Sequence, residues 1–347
     1  MNPAPPADTQ TGGSDMPPQV ALLQLVTAGF AAQAVHVAAR LGVADQIAAG
    51  VRGTSALAAA LDADPPTLSR FLATLASIGV LRQDGADAWA LTPIGEHLRG
   101  DVRGSWRNFA RWFGCDAHYA AFGALEHSVR TGESGFVKTF GESAWSYMAR
   151  DRETGLCFDR AMSGIAATAH PLILDNYDFA GVDTLVDIGG GQGELLSAIL
   201  ARYPTMRGVV FDLPHVVEAA APRMQAHGLG ERLEAVGGDF FAAVPSADAY
   251  IMTNVLHDWN DVDAVAILRN CRRAMRAGGR VLIGDFVLRP VNEPDIGRLF
   301  DLEMLVLTDG GKERTEGEFR AILAAADLRL TRVAPLGGVS LIEARAA

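Results

Sequence analysis

Cysteine is nearly absent: Cys115, Cys157 and Cys271 are the only three in 347 residues, far apart and with no CxxC pair. Neither a disulfide framework nor a thiolate metal site is expected, and a reducing, cytoplasmic setting is. Basic charge is also short, with 30 Lys and Arg against 41 Asp and Glu and a net charge of −11. A protein that grips a phosphate backbone needs a basic face, so nucleic acid is not an expected partner. No Lys or Arg precedes Arg40, so the basic n-region of a secretory signal is missing and no export is expected. Long apolar runs are lacking as well. The one uncharged passage, Val20 to Ala39, is interrupted by Gln24, Thr27, Gln33 and His36, and reads as a buried interface helix rather than a membrane span.

What remains describes a folded protein of more than one domain, 49% hydrophobic and 20% charged. Residues 1–18 hold Pro3, Pro5, Pro6, Pro17 and Pro18 among small polar residues, too little apolar surface to offset the entropy of ordering, and read as a flexible tail. From Val20, the residues Leu22, Leu23, Val26, Phe30, Ala34 and Val37 recur at helical spacing and demand a partner surface.

Residues 54–99 have the grammar of a winged helix. Thr54 caps a helix from Ser55 to Leu61, and Asp64-Pro65-Pro66 opens a second with Leu68, Phe71, Leu72, Leu75 and Ile78 on its inner face. Gln83-Asp84-Gly85 then turns a short hairpin ending at Trp89 to Leu91, and Thr92-Pro93 starts another helix. Residues 20–100 carry five Arg, no Lys and six acids, and the reading helix offers only Arg70. Dimerisation or substrate covering is therefore expected of residues 19–105, not DNA recognition. Residues 106–180 read as helical and hold about half of the 25 aromatic side chains, enough to line a pocket for a flat organic molecule.

From residue 181 the pattern changes to short apolar runs between helices: Thr184 to Ile188, Gly208 to Phe211, Ala249 to Thr253 and Arg280 to Phe286. Buried parallel strands read this way, and their alternation with helices specifies an α/β sheet. Leu328 to Ala334 and Val339 to Ala344, joined by Leu336-Gly337-Gly338, add a hairpin at its edge.

The chemistry gathers at the strand ends. Leu185-Val186-Asp187-Ile188 runs into Gly189-Gly190-Gly191-Gln192-Gly193 and a helix, the arrangement that brings backbone N–H groups against a ligand. Asp212 ends the next strand, 19 residues after Gly193, where a carboxylate accepts both ribose hydroxyls of a nucleotide. The third strand end supplies Gly238, Asp239 and Phe240, and the fourth supplies Thr253, His257, Asp258 and Trp259. Ligands of open α/β sheets sit outside the carboxyl ends of the strands, so these loops converge on one crevice and His257 reads as functional. Asp258, Asp261 and Asp263 read as acids favoured at a helix N-terminus, not as metal ligands. Asp285 ends the fifth strand, and Gly310-Gly311-Lys312-Glu313-Arg314-Thr315 opens the last helix.

The series VDIGGGQG, FDLP, GDFF, VLHDWND and GGKERTEGEF, followed by a terminal hairpin, resembles the S-adenosylmethionine-dependent O-methyltransferases of the caffeate and hydroxyindole type, especially the bacterial branch of secondary metabolism. The resemblance spans about residues 20–347. It implies a Rossmann-like class I methyltransferase domain over 181–347, an N-terminal, mostly helical winged-helix dimerisation domain, and a homodimer. It implies S-adenosylmethionine as cofactor, S-adenosylhomocysteine as product, and no metal. Gly189, Gly191 and Asp212 would hold the methionine and ribose parts, with Gly238, Asp239, Phe240, Thr253 and Trp259 around the adenine. Thr253 departs from the Lys common in plant members. His257 takes the general-base position, Glu313 that of the acid orienting it, and Asp285 that of a second flanking acid; Phe158 and Met162 fall where relatives pack substrate.

A phenol with a pKa of about 10 yields its proton reluctantly to a free imidazole, so an acid that stabilises the imidazolium matters, and a phenolic or enolic aromatic substrate is favoured. The rival readings are a hydroxylase or decarboxylase on the same cofactor-binding scaffold, a non-catalytic winged-helix regulator, and a dinucleotide dehydrogenase.

Overall fold

The computed structural model describes residues 16–347, so most of the tail read at residues 1–18 lies outside the described residues. The described chain forms two compact units, one ending at Cys115 and one beginning at Asp116.

The first unit opens with α1 (Pro18–Leu41), which Gly42 ends in the left-handed conformation, and α2 (Val43–Ala48). Next come α3 (Thr54–Ala60) and α4 (Pro65–Ser77), then β1 (Leu81–Gln83) and β2 (Trp89–Leu91), paired antiparallel, and finally α5 (Pro93–Glu96) and α6 (Arg107–Phe113). Asp64 caps α4 by accepting the Thr67 N–H at 2.9 Å, and Leu68, Leu72 and Leu75 of that helix are buried. Thr54 is not the cap expected of it. Gly53 precedes the helix, and the Thr54 hydroxyl instead donates to Asp87 at 2.6 Å and accepts from the Trp89 indole at 3.0 Å, tying α3 to the hairpin.

The two ends of α1 have different environments. Its C-terminal half is buried at Ala34, His36, Ala38 and Ala39, His36 Nδ1 lies 3.2 Å from the Ala110 carbonyl, and the Gln33 amide donates to the Gly114 carbonyl. Its N-terminal half exposes Leu22, Leu23, Leu25, Val26 and Phe30. Among the described residues it is the one helix long and apolar enough to cross a membrane, with a mean hydropathy of 1.6.

The second unit begins with five helices, α7 (Asp116–Phe122), α8 (Leu125–Thr131), α9 (Gly135–Phe140), α10 (Ala144–Arg150) and the 25-residue α11 (Arg152–Asn176), whose N-terminus Asp151 caps. The sheet and its helices follow: β3 (Thr184–Ile188), α12 (Glu194–Arg202), β4 (Arg207–Asp212), α13 (Pro214–Ala226), β5 (Leu233–Gly237), β6 (Ala247–Thr253), α14 (Asp261–Ala274) and β7 (Met275–Asp285). The chain closes with β8 (Val287–Leu288), α15 (Gly297–Leu307), β9 (Arg314–Thr315), α16 (Glu316–Ala325), β10 (Leu328–Pro335) and β11 (Ser340–Ala346). The seven-stranded sheet runs β10-β11-β7-β6-β3-β4-β5. β3 to β7 are parallel, and the hairpin β10–β11 joins antiparallel at the β7 side.

Alternation along these strands fills both faces. Val186, Met252 and Ile283 pack with Ile267, Leu268, Phe319 and Leu323 of α14 and α16, whereas Leu185, Ile251 and Leu282 pack with Leu196, Ile199 and Ile173 of α12 and α11. This is the Rossmann-like doubly wound arrangement. Chain order reverses between β3 and β6, so the crevice for a ligand lies at their carboxyl ends. β7 begins earlier than its apolar run predicts, because Arg276, Ala277, Gly278 and Gly279 carry no hydrophobic signal.

Candidate active site

Two clusters form along the carboxyl ends of the strands. The first surrounds the glycine loop after β3. Gly189 and Gly191 have φ of +67° and +52°, and a Cβ on Gly189 would stand 2.8 Å from Val255, so this loop accepts no larger residue there. Above Gly191 the space is open to at least 4 Å. The Asp212 carboxylate, at the end of β4, accepts the Gly191 N–H at 3.0 Å and the Leu213 N–H at 2.7 Å. It is therefore satisfied by backbone before any ligand binds, and its remaining lone pairs are what it offers to a hydroxyl pair. The Gly238 N–H donates to the Asp212 carbonyl, and Asp239 turns the chain by accepting the Phe241 N–H. Phe240, Phe241 and Trp259 meet edge to face at 4.7–5.8 Å. An open space over a glycine loop, a positioned carboxylate and an aromatic wall suit an adenosine-bearing cofactor.

Sequence reasoning passed over Asp187 in this cluster. It is buried on β3 beneath Gly190, and burial, with the charge of Asp212 adding, pushes its carboxyl up to about 8.

The second cluster surrounds His257, on a short 3-10 turn from Leu256 to Asp258. His257 Nδ1 lies 2.7 Å from Glu313 Oε1, and its Nε2 lies 3.6 Å from Asp258 Oδ1. Glu313 is 2% exposed, its backbone N–H donates to Asp301, and its Oε2 is buried with no hydrogen-bond partner. Burial pulls the imidazole down, but Glu313, Asp258 and Asp285 outweigh it and push His257 up to about 10. Burial also pushes Asp258 up to about 6 and Asp285 up to about 7, each opposed by the charge of His257. Asp285 acts on His257 by charge and not by a hydrogen bond. Its Oδ1 accepts the N–H of Asn254, which sits at φ +53°, and its Oδ2 is unpartnered.

Asp258 is not the helix-terminal acid that its spacing suggests, because α14 starts later: Asn260 caps it, and Asp261 and Asp263 lie in its first turn. Thr253, at the end of β6, packs its methyl group close to Gly284. Phe158 and Met162 lie one helical turn apart on α11, where Phe158 meets Trp145 edge-on at 5.6 Å. The neutral tautomer consistent with this geometry donates Nδ1–H to Glu313 and leaves Nε2 free to take a proton.

Comparison with known proteins identifies the family. Residues 122–329 match the family model of an O-methyltransferase domain, and residues 23–100 that of an O-methyltransferase dimerisation domain. The phenazine O-methyltransferase PhzM of Lysobacter antibioticus is 43% identical over 326 residues, 93% of this chain and 95% of its own. The mitomycin biosynthesis 6-O-methyltransferase of Streptomyces lavendulae is 38% identical over 328 residues, 93% of each. Among solved structures, the O-methyltransferase NcsB1 from neocarzinostatin biosynthesis, in complex with S-adenosyl-L-homocysteine and 1,4-dihydroxy-2-naphthoic acid, matches with a TM-score of 0.78 at 36% identity, covering 96% of this chain and 100% of that one.

Proposed function

The chain belongs to the O-methyltransferases that carry an N-terminal dimerisation domain, and on that premise we propose that His257, held by Glu313, is the general base of its reaction. It is an S-adenosylmethionine-dependent enzyme that methylates a hydroxyl of an aromatic small molecule. Bound S-adenosylmethionine supplies the electrophile, a methyl carbon whose bond to cationic sulfur breaks with the electron pair returning to sulfur. The protein has two tasks: to align the acceptor oxygen with that carbon and to manage the hydroxyl proton.

The observation that carries the reading is the buried 2.7 Å bond between His257 Nδ1 and Glu313. It leaves Nε2 as the proton acceptor, and the charge of Glu313, joined by those of Asp258 and Asp285 against burial, raises the imidazole to about 10, level with a phenol, so transfer from acceptor to base is nearly balanced. An aliphatic hydroxyl lies far outside that match. The imidazolium formed is then stabilised by Glu313. The turnover of a His257→Ala enzyme on a phenolic acceptor tests this reading: it has to fall while cofactor binding holds.

In the same reading Asp212 receives the ribose hydroxyls, Gly189, Gly191 and Gly238 form the loops around the cofactor, and Asp239, Phe240, Thr253 and Trp259 surround the adenine. Asp212→Ala removes a charge-assisted acceptor and also releases the Gly191 N–H. Calorimetry with S-adenosylhomocysteine is expected to show a loss of about 1.5–3 kcal/mol. Unchanged affinity would remove this assignment. The same reading assigns Phe158 and Met162 to packing against the acceptor.

The first unit is assigned to homodimer formation on a winged-helix scaffold, with neither nucleic acid nor a membrane as partner. The exposed apolar stretch of α1, from Val20 to Phe30, spans about 16 Å at about 1.5 Å per residue. A hydrocarbon core is about 30 Å thick, and the rest of the helix is already held by α6 and its flanking residues. A second copy is the cover that fits, with an apolar interface of the obligate kind. Light scattering at micromolar concentration is expected to give a dimer, and Leu25→Asp with Phe30→Asp a monomer; a wild-type monomer would contradict it. A cytoplasmic location is part of the same proposal, supported by the reducing setting that the cysteine pattern suits.

A further inference from the structure

The loop that carries Glu313 also holds the backbone of the turn that carries His257. The Lys312 N–H donates to the His257 carbonyl at 2.8 Å, and a Cβ on Gly311 would stand 2.6 Å from that same oxygen. Arg314 completes this seam from β9. Its side chain is 1% exposed, yet all three guanidinium nitrogens are occupied. Nη1 donates to the Leu256 carbonyl at 3.0 Å and more weakly to that of Lys312 at 3.4 Å, Nη2 donates to the Trp259 carbonyl at 2.7 Å, and Nε to Asp261 at 3.0 Å. The half-exposed ion pair with Asp261 does not account for burying a cation so completely. The two shortest carbonyl contacts do, because they fall on either side of His257.

We propose that Arg314 is a positioning residue for the base: by gripping the Leu256 and Trp259 carbonyls it fixes the His257 turn against the Glu313 loop and so aims Nε2 at the acceptor oxygen. The proposal rests on His257 being the base. Arg314 reaches the reaction only through that turn. The charged groups facing His257 are Glu313, Asp258 and Asp285; Arg314 adds the one buried cation beside them, and its charge draws the Asp285 carboxyl down against burial. Lysine keeps the charge but not the planar fork that spans two carbonyls, so the two contributions separate by substitution.

The experiment measures kcat, the cofactor Kd and the pH dependence of the rate for Arg314→Lys and Arg314→Gln, each in the native and the His257→Ala backgrounds. In the native background Arg314→Lys is expected to lower kcat about 10²-fold, the cost of a misplaced reacting group, with cofactor Kd and pH profile unmoved. Arg314→Gln, which removes both the fork and the charge, is expected to lose at least as much. In the His257→Ala background either substitution is expected to change the rate less than about three-fold, since coupled residues are not additive. Equal losses in both backgrounds would overturn the proposal, as would a wild-type kcat for Arg314→Lys. Should the buried substitutions fail to fold, Asp261→Asn, at a half-exposed partner of the guanidinium, carries the same test: a loss of several-fold that disappears when His257 is absent supports the role, and one that persists overturns it. A His257→Ala enzyme at full rate would remove the base itself, which is a different failure from an Arg314 effect independent of His257.

Discussion

A His257→Ala enzyme is expected to methylate a phenolic acceptor about 10²- to 10⁴-fold more slowly at neutral pH while binding S-adenosylhomocysteine as tightly as the native protein. The imidazole carries the free nitrogen of its cluster that suits a hydroxyl proton. Glu313 is engaged through Oε1, and Asp285 holds the Asn254 N–H. The Gly191–Asp212 bond at the ends of β3 and β4, where the proposed reading puts the ribose, does not involve His257 and is left alone by the substitution. The residual rate is expected to recover as pH approaches the acceptor's own pKa, because solution then removes the proton. Steady-state kinetics with calorimetry on the same preparation separates the two effects. A parallel loss of cofactor affinity would make His257 a structural residue of the crevice.

Glu313→Gln is expected to change both the size of the rate and its dependence on pH. In the native enzyme His257 is an imidazolium at neutral pH, because its pKa is raised to about 10. The reactive complex contains one proton fewer than the free imidazolium enzyme and phenol together. The native kcat/KM is therefore expected to climb with pH from neutrality toward about 10, without levelling near the ordinary histidine value of about 6.5. Proton release on acceptor binding, read by calorimetry in buffers of different ionisation enthalpy, checks the same point. Neutral glutamine preserves shape but removes the largest of the charges raising His257, so burial regains weight and the rise moves to lower pH. The maximum rate is expected to fall about 10- to 100-fold, the equivalent of about 1.5–3 kcal/mol for a charge-assisted hydrogen bond. An unmoved profile would mean that Glu313 does not set the ionisation of the base.

The parts of this site visible from sequence alone are those whose signal is local. Thr184 to Ile188 is read as a strand to the residue, because five residues of buried parallel strand are followed at once by a glycine turn. Asp212, His257 and Asp285 are locatable because each follows an apolar run, and strand ends are where crevices form. The start of β7 is hidden by its own glycines, and Thr54 misleads as a cap because a hydroxyl beside a helix is equally able to bond a neighbouring hairpin.

Burial is the main quantity that sequence pattern does not carry. Arg314 looks like the start of a surface helix, and only tertiary packing turns it into a buried cation gripping two carbonyls. Asp187 and Asp258 are likewise unremarkable acids until desolvation raises them. The same holds for Asp285, whose place at a strand end is legible but whose attachment to Asn254 is not.

Methyl-labelled S-adenosylmethionine incubated with the purified protein and a panel of hydroxylated naphthoates, quinones and phenazines decides between methyl transfer and its rivals. The label is expected on a phenolic or enolic oxygen, as a methyl ether, with one S-adenosylhomocysteine formed for each product. A product that is hydroxylated or decarboxylated with the label still on the cofactor, or a label found on nitrogen alone, would contradict O-methylation by the His257–Glu313 pair.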